Sequence, residues 1–129
     1  MLKSYRELIV WQKAVQLVVD CYRATPGFPK SEIYGLTSQI RRAATSIPAN
    51  IAEGYGRGSR KEYLQFLIVA QGSLKELETH FIVAQKLNYL TDAQLSRVLS
   101  QSDEVGKMLG SLIRKLRTPS PPYTQHPKP

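Results

Sequence analysis

The sequence predicts an all-α protein built as an up-down four-helix bundle. Apolar residues recur at alternating spacings of three and four along four long segments, which is the period of an amphipathic helix. Apart from Pro48, the prolines lie between or after these segments, and no apolar run is flanked by the Asn-Gly or Asp-Gly turn of a β-hairpin. A chain of 129 residues fits one domain, so we expect the bundle to cover residues 1–117 with helices near residues 5–25, 33–54, 59–88 and 91–117.

The first helix is predicted from one continuous apolar face. That face consists of Leu8, Trp11, Val15, Val18 and Tyr22. Polar residues interrupt the apolar stretch, which excludes a membrane span or a signal peptide and leads us to expect a cytoplasmic protein. The segment from Thr25 to Pro29 contains two prolines and a glycine, and it therefore predicts a turn.

The second helix is predicted to be kinked by a proline. Its apolar face contains Leu36, Ile40, Ala43, Ile47 and Ile51. Pro48 lies within this pattern and has no N–H to bond to the carbonyl of Ala44, so the helix should kink or restart there. Thr45 and Ser46 are placed to cap such a restart. The glycines Gly54, Gly56 and Gly58 are expected to end the element.

The third and fourth helices are the most strongly patterned part of the chain. Each begins with a capping-box sequence, S-x-x-E at residues 59–62 and T-x-x-Q at residues 91–94. The seam of the third helix is Tyr63, Leu67, Ala70, Leu74, Leu77, Phe81 and Ala84. The seam of the fourth is Leu95, Val98, Ser102, Val105, Leu109, Leu112 and Leu116. The connection through residues 88–90 is short, which predicts antiparallel neighbours. Further apolar positions beside both seams predict burial on more than one side, and hence a homo-oligomer.

The last residues form a separate segment. Residues 118–129 contain five prolines, so we expect a proline-rich, extended tail and not a helix. Pro119 and Pro122 make a P-x-x-P motif, but so short a motif is common by chance in proline-rich tails and gives little support to adaptor binding.

The charge is strongly basic and unevenly distributed. Eighteen Lys and Arg residues against ten Asp and Glu residues give a net charge of +8, which favours a polyanion such as RNA or DNA, or an acidic protein surface. Residues 41–61 hold five bases and one acid, and residues 107–117 hold four bases and no acid, a net +4 in each. Residues 62–106 hold three bases and six acids, a net −3. The alternative is a basic domain whose charge has no specific partner.

The predicted nucleic-acid site follows from this distribution. It comprises Arg41, Arg42, Arg57, Arg60 and Lys61. The last three lie at a helix start, where exposed backbone N–H groups also attract phosphate. Arg60 and Lys61 are badly placed for the dipole of their own helix, a cost that a functional role would explain. A solvated turn is the alternative for these three, while Arg41 or Arg42 could instead pair with Glu53, within the chain or between subunits. The second basic run, residues 107–117, is the next candidate.

The inventory of reactive residues gives no support to catalysis. His80 is preceded three positions earlier by Leu77, so the Glu-x-x-His motif of di-iron bundles is absent, and there is no H-E-x-x-H sequence. Cys21 is the only cysteine, which excludes an intramolecular disulfide and predicts a core residue. The glycine-rich residues 54–58 lack the G-K-[ST] ending of a phosphate loop. We therefore expect no enzymatic activity, no metal and no cofactor.

Two segments also resemble a known family. Residues 34–44 (YGLTSQIRRAA) and 46–54 (SIPANIAEG) are similar to the four-helix-bundle family encoded in intervening sequences of large-subunit ribosomal RNA genes. Residues 8–14 (LIVWQKA) resemble the first helix of that family, and residues 62–67 and 72–79 resemble its third. The resemblance spans roughly residues 5–117. The family includes proteins similar to the accessory protein of diversity-generating retroelements, in which a basic pentameric barrel partners a reverse transcriptase and nucleic acid.

Two functional hypotheses follow. In the first, the chain is a non-enzymatic accessory protein, a ring-shaped homopentamer as the resemblance implies, that binds RNA, DNA, a reverse transcriptase or another nucleoprotein through basic patches. In the second, it is a self-assembling structural protein without a nucleic-acid role, whose basic patches neutralise acidic patches of neighbouring subunits. No membrane partner is expected under either hypothesis.

Overall fold

Four α-helices account for most of the described chain. The structure is a computed structural model that describes residues 3–118, with the helices α1 (Ile9–Ala24), α2 (Leu36–Gly56), α3 (Arg60–Lys86) and α4 (Asp92–Arg117). Two 3-10 turns, Tyr5–Glu7 and Lys30–Glu32, precede α1 and α2. The described part contains no strand. The predicted all-α class and the four helices are confirmed, with every boundary within four residues of its prediction. The predictions for the proline-rich tail concern residues that, apart from Thr118, lie outside the described range.

The helices pack in the cyclic order of a bundle. Each helix contacts the next along the chain, and α4 returns to contact α1. Ser46 of α2 bonds Ser73 of α3 over 2.9 Å, whereas Gly54, later in α2, lies against Phe66, earlier in α3. These pairs show that α2 and α3 run antiparallel. One end of the bundle therefore carries the starts of α1 and α3 together with the ends of α2 and α4.

The core is formed by the predicted apolar faces of α2, α3 and α4 and by a different face of α1. The fully buried large side chains include Leu17, Ile40, Ile47, Ile51, Leu67, Leu74, Leu77, Phe81 and Leu109. Cys21 is also fully buried, as predicted. Burial, helped by the neighbouring Asp20 carboxylate, raises the pKa of Cys21 to about 12, so the thiol stays protonated and unreactive at neutral pH.

The face predicted for α1 is wrong. Val10, Ala14, Leu17 and Cys21 are buried, whereas the predicted Leu8, Trp11, Val15 and Val18 are only partly buried and Tyr22 is exposed. Trp11, Val15 and Val18 lie at the edge of the core beside α2, while Leu17 and the smaller Ala14 and Cys21 fill its centre.

The second helix passes through Pro48 without restarting. Helix α2 is one continuous element, and Pro48 is buried against the rest of the bundle. The Thr45 hydroxyl donates backwards to the carbonyls of Arg41 and Arg42, and the Ser46 hydroxyl contacts Ser73. The predicted restart capped by Thr45 and Ser46 is therefore wrong, because these hydroxyls bond within α2 and across to α3. A bend at Pro48 stays a prediction.

Of the two predicted capping boxes, that of α4 is complete, and that of α3 consists of the Ser59 half. The Ser59 hydroxyl accepts a hydrogen bond of 3.0 Å from the backbone N–H of Glu62. At α4, the Thr91 hydroxyl accepts from Gln94 N and the Gln94 side chain accepts from Thr91 N, at 3.1 and 2.8 Å, which completes the box. Asn88, with φ of 65°, adopts the left-handed conformation that ends α3 and turns the chain towards α4.

Glu32 connects two loops at the opposite end of the bundle. One carboxylate oxygen accepts from the Leu36 backbone N–H at 3.0 Å, and the other accepts from the Tyr89 hydroxyl at 2.9 Å. The first bond holds the start of α2, and the second ties it to the α3–α4 connection. The Leu36 bond, followed by the Tyr89 bond, lowers the pKa of Glu32 below its usual value.

Replacing Glu32 with glutamine should flatten the acid side of the stability curve. A carboxyl whose pKa is lowered by folding stabilises the protein above its unfolded pKa, and this contribution is lost as the pH falls through the folded pKa. Thermal unfolding followed from neutral pH down to about pH 3 should therefore show a smaller loss of Tm for Glu32→Gln than for the parent. Identical acid sensitivity in the two proteins would contradict the assignment.

Candidate nucleic-acid interface

Arg60 joins the two basic segments of the sequence at one end of the bundle. Its Nε donates to the Leu116 carbonyl at 3.0 Å, and its Nη2 donates to the carbonyls of Lys115 and Thr118 at 3.0 and 3.1 Å. Carbonyls in the last turn of a helix have no partner within that helix. The guanidinium therefore closes the end of α4 and holds the start of α3 beside it. We call the resulting surface the basic end; it consists of Arg57, Arg60, Lys61, Arg114, Lys115 and Arg117.

This contact explains an arginine that its own helix disfavours. Arg60 stands at the start of α3, where the helix dipole repels a cation, but it lies against the end of α4, where the dipole attracts one. Because α3 and α4 are antiparallel, the unfavourable interaction of Arg60 with the dipole of α3 is offset by its favourable contact with the end of α4. Arg60 thus has a structural role, whereas the sequence pattern predicted that it binds phosphate.

Removing the Arg60 guanidinium should loosen the end of α4. Charged hydrogen bonds contribute more than neutral ones, but Arg60 is solvent-exposed, so we expect Arg60→Gln to lower the free energy of unfolding by about 1 kcal/mol. Faster amide hydrogen exchange over the last turn of α4 should accompany the loss. Arg60→Lys keeps the charge without the planar fork and should be intermediate. Unchanged exchange in Arg60→Gln would show that the three bonds do not hold the helix end.

The remaining members of the basic end differ in how they are held. Arg57 pairs with Glu53 at 2.8 Å and lies over the Phe66 ring, 5.0 Å from its centroid. Both partners of this ion pair are about half exposed, so the pair orients Arg57 more than it stabilises the fold. The other four cations are exposed and have no ion pair or side-chain hydrogen bond within residues 3–118: Lys61, Arg114, Lys115 and Arg117.

Arg41 and Arg42 lie on a different surface. Sixteen residues separate Arg41 from Arg57 along α2, a distance of about 24 Å along the helix axis. The Arg41 Nε donates to the Thr25 hydroxyl at 3.0 Å, and its guanidinium stacks on the Tyr22 ring, 4.6 Å from the centroid. Arg42 is exposed. The residues predicted as one site therefore divide between the basic end and the outer face of α1 and α2.

The predicted pairing of these arginines with Glu53 does not occur within the chain. Glu53 bonds Arg57, one turn away, whereas Arg42 is eleven residues away along the same continuous helix, about 17 Å. One of the two arginines is indeed held structurally, but by Thr25 and Tyr22.

Other candidate chemistry is sparse in the described residues. His80 lies 3.4 Å from the Glu76 carboxylate, as expected for a helix histidine with a local partner. Across residues 3–118, no group of three or more His, Cys, Asp or Glu side chains could hold a metal ion. The same range contains no helix with the length and apolarity needed to cross a bilayer.

Comparisons with known proteins agree with this fold. The profile of the 23S rRNA-intervening sequence protein family matches residues 6–111. A solved structure from Bacteroides thetaiotaomicron VPI-5482, a protein of unknown function from the S23 ribosomal protein family, is similar with a TM-score of 0.74 at 27% identity, over 81% of this chain and 98% of that chain. No protein with a curated description matches the chain. Since the family profile covers all of α1, α2 and α3 and most of α4, the chain belongs to the 23S rRNA-intervening sequence protein family.

Proposed function

We propose that this protein is a non-enzymatic accessory protein that binds nucleic acid, or a nucleoprotein, through the basic end. The observation that carries the proposal is the set of three hydrogen bonds from Arg60 to the carbonyls at the C-terminal end of α4, those of Lys115, Leu116 and Thr118. These bonds bring together parts of two segments that each carry a net +4. A surface of six bases beside two acids, Glu53 and Glu62, suits a polyanion better than a neutral partner.

The chemistry of the basic end favours contact with phosphates over base recognition. Lys61, Arg114, Lys115 and Arg117 present exposed cationic groups without partners among the described residues. Contacts of this kind position a protein on the nucleic-acid backbone and carry little sequence information. We therefore propose weak, largely non-specific binding, which becomes strong only when several such surfaces act together.

Self-association would supply that multiplicity. The outer face of α3 exposes apolar side chains, each between 38% and 51% exposed: Ile68, Val69, Ile82, Val83 and Leu87. We propose that a second copy covers this face, helped by the contrast between the net −3 of residues 62–106 and the basic segments elsewhere. The family resemblance implies a ring of five subunits, which would repeat the basic end five times. By the same resemblance, a reverse transcriptase is one nucleoprotein partner to test.

Two measurements on the parent protein test this proposal. Fluorescence anisotropy with labelled RNA and DNA should give affinities whose logarithm falls linearly with the logarithm of salt concentration. Light scattering should report a multimer at micromolar concentration. If the protein is a multimer but binds neither polymer at low salt, the nucleic-acid role is wrong and a self-assembling structural protein is the better description. A monomer would contradict the proposed assembly.

A further inference from the structure

A groove on the outer face of α1 and α2 combines cationic and aromatic groups. It has a volume of about 270 Å³, and its lining includes Tyr22, Ile33, Ser38, Arg41 and Arg42. No acidic residue lines it, so its two arginines are not neutralised locally. This surface, which we call the α1–α2 groove, is separate from the basic end and contains both predicted site residues that the basic end lacks.

Arg41 is held in one orientation within this groove. The buried Thr25 hydroxyl accepts its Nε–H, while the Tyr22 ring supports one face of the guanidinium. The two Nη nitrogens have no hydrogen-bond partner in the described chain. A guanidinium fixed on an aromatic ring can stack a nucleobase on its other face and donate its remaining N–H groups to phosphate.

An exposed apolar side chain lines the groove, and the residue that follows it in the chain is a tyrosine in solvent. Ile33 lines the groove and is 57% exposed, and Tyr34, the next residue, is 95% exposed. The neighbouring acid, Glu32, is already bonded to Leu36 and Tyr89. A tyrosine ring so fully in solvent gains nothing from the fold of this chain, but it offers a flat surface on which a base can stack.

We propose that the α1–α2 groove binds an unpaired, single-stranded segment of nucleic acid. Bases stack on Tyr34 and on the Arg41 guanidinium, while Arg42 and the Arg41 Nη groups contact the flanking phosphates. Unpaired nucleotides offer both the apolar ring faces and the negative charge that the groove complements, whereas bases in a duplex are stacked on each other and unavailable. This inference rests on the proposed nucleic-acid function and adds a preference for unpaired over duplex nucleic acid, which the basic end alone would not give.

The test compares single-stranded and duplex RNA of the same sequence against the full chain. Tyr34→Leu keeps an apolar side chain but removes the ring, so it should weaken single-strand binding by about tenfold and leave duplex binding unchanged. Tyr34→Phe keeps the stacking surface and should bind both like the parent. Arg42→Gln should weaken single-strand binding, and Lys61→Gln, at the basic end, should weaken binding to both forms.

The outcomes separate this inference from the proposal beneath it. If the parent binds RNA, and Tyr34→Leu binds single-stranded and duplex RNA as tightly as the parent does, the stacking site is wrong while the nucleic-acid function stands. If the parent binds neither form at low salt, both are wrong. If Tyr34→Leu instead lowers the molar mass measured by light scattering, the groove is a contact between protein copies and the stacking site is overturned.

Discussion

Replacing Lys61, Arg114, Lys115 and Arg117 together with glutamine is expected to weaken binding to duplex nucleic acid by roughly 100-fold or more at physiological salt. Each phosphate that a protein neutralises contributes about 0.9 to the slope of the logarithm of affinity against the logarithm of salt concentration. If all four side chains contact phosphate, their replacement should make this fall of affinity with salt shallower, by about 3.6 in slope. The four are exposed and bond no other side chain among the described residues, so the bundle should unfold at nearly the parent temperature.

A matched variant separates the basic end from net charge. Changing Lys13, Lys30, Lys75 and Lys86 to glutamine removes the same number of charges from positions outside the basic end. This variant should retain most of the affinity and nearly all of the salt slope. Equal losses in the two variants would mean that total charge, and not the surface gathered by Arg60, governs binding.

Replacing Gly54 with alanine is expected to destabilise the bundle by about 1–3 kcal/mol. Gly54 is buried at a close approach of α2 and α3, and a Cβ there would lie 2.6 Å from the Phe66 Cβ and 3.3 Å from the Tyr63 carbonyl oxygen. Both are parts of the α3 backbone or directly attached to it, so neither can move without shifting the helix. Chemical denaturation should report the loss as a lower midpoint.

Gly56 provides the matched control for this substitution. It lies two residues later in α2, and a Cβ added there would meet no atom within 4 Å. Gly56→Ala should change the free energy of unfolding by less than about 0.5 kcal/mol. If both variants were equally stable, α2 and α3 would not be as closely packed at Gly54 as the structure places them.

Local pattern was enough to predict the helices but not their irregularities. Apolar periodicity and the caps at Ser59 and Thr91 depend on residues close in sequence, so the element order and the core faces of α2, α3 and α4 could be predicted directly. The core face of α1 could not, because its bulkiest residues, Trp11 and Tyr22, lie beside the buried face and not on it. The passage of α2 through Pro48 could not, because it depends on what surrounds the freed backbone and on packing against α3. Tertiary contacts here outweighed a strong local signal.

The sequence predicted which segments are basic better than it predicted how their residues lie in space. The charge count identified both basic segments. It assigned Arg60 to phosphate binding because a cation is unfavourable at the start of α3, whereas in the structure Arg60 bonds the end of α4, where a cation is favourable. Antiparallel α3 and α4, joined by a short connection, already imply that the start of one lies beside the end of the other. Applying that rule to the charges would have placed residues 114–117 in the first candidate site. The Arg41–Tyr22 stack depends on the fold and had no local signal.

Contact between nucleic acid and the basic end can be measured by lysine footprinting of the parent protein. Acetylation rates measured by mass spectrometry, with and without saturating duplex RNA, report which amines the ligand covers. If the basic end contacts RNA, bound RNA should slow the modification of Lys61 and Lys115 and leave that of Lys30, Lys75 and Lys86 unchanged, so these three lysines serve as internal controls. Uniform protection of all five lysines, or protection confined to the three controls, would show that the basic end is not the contact surface.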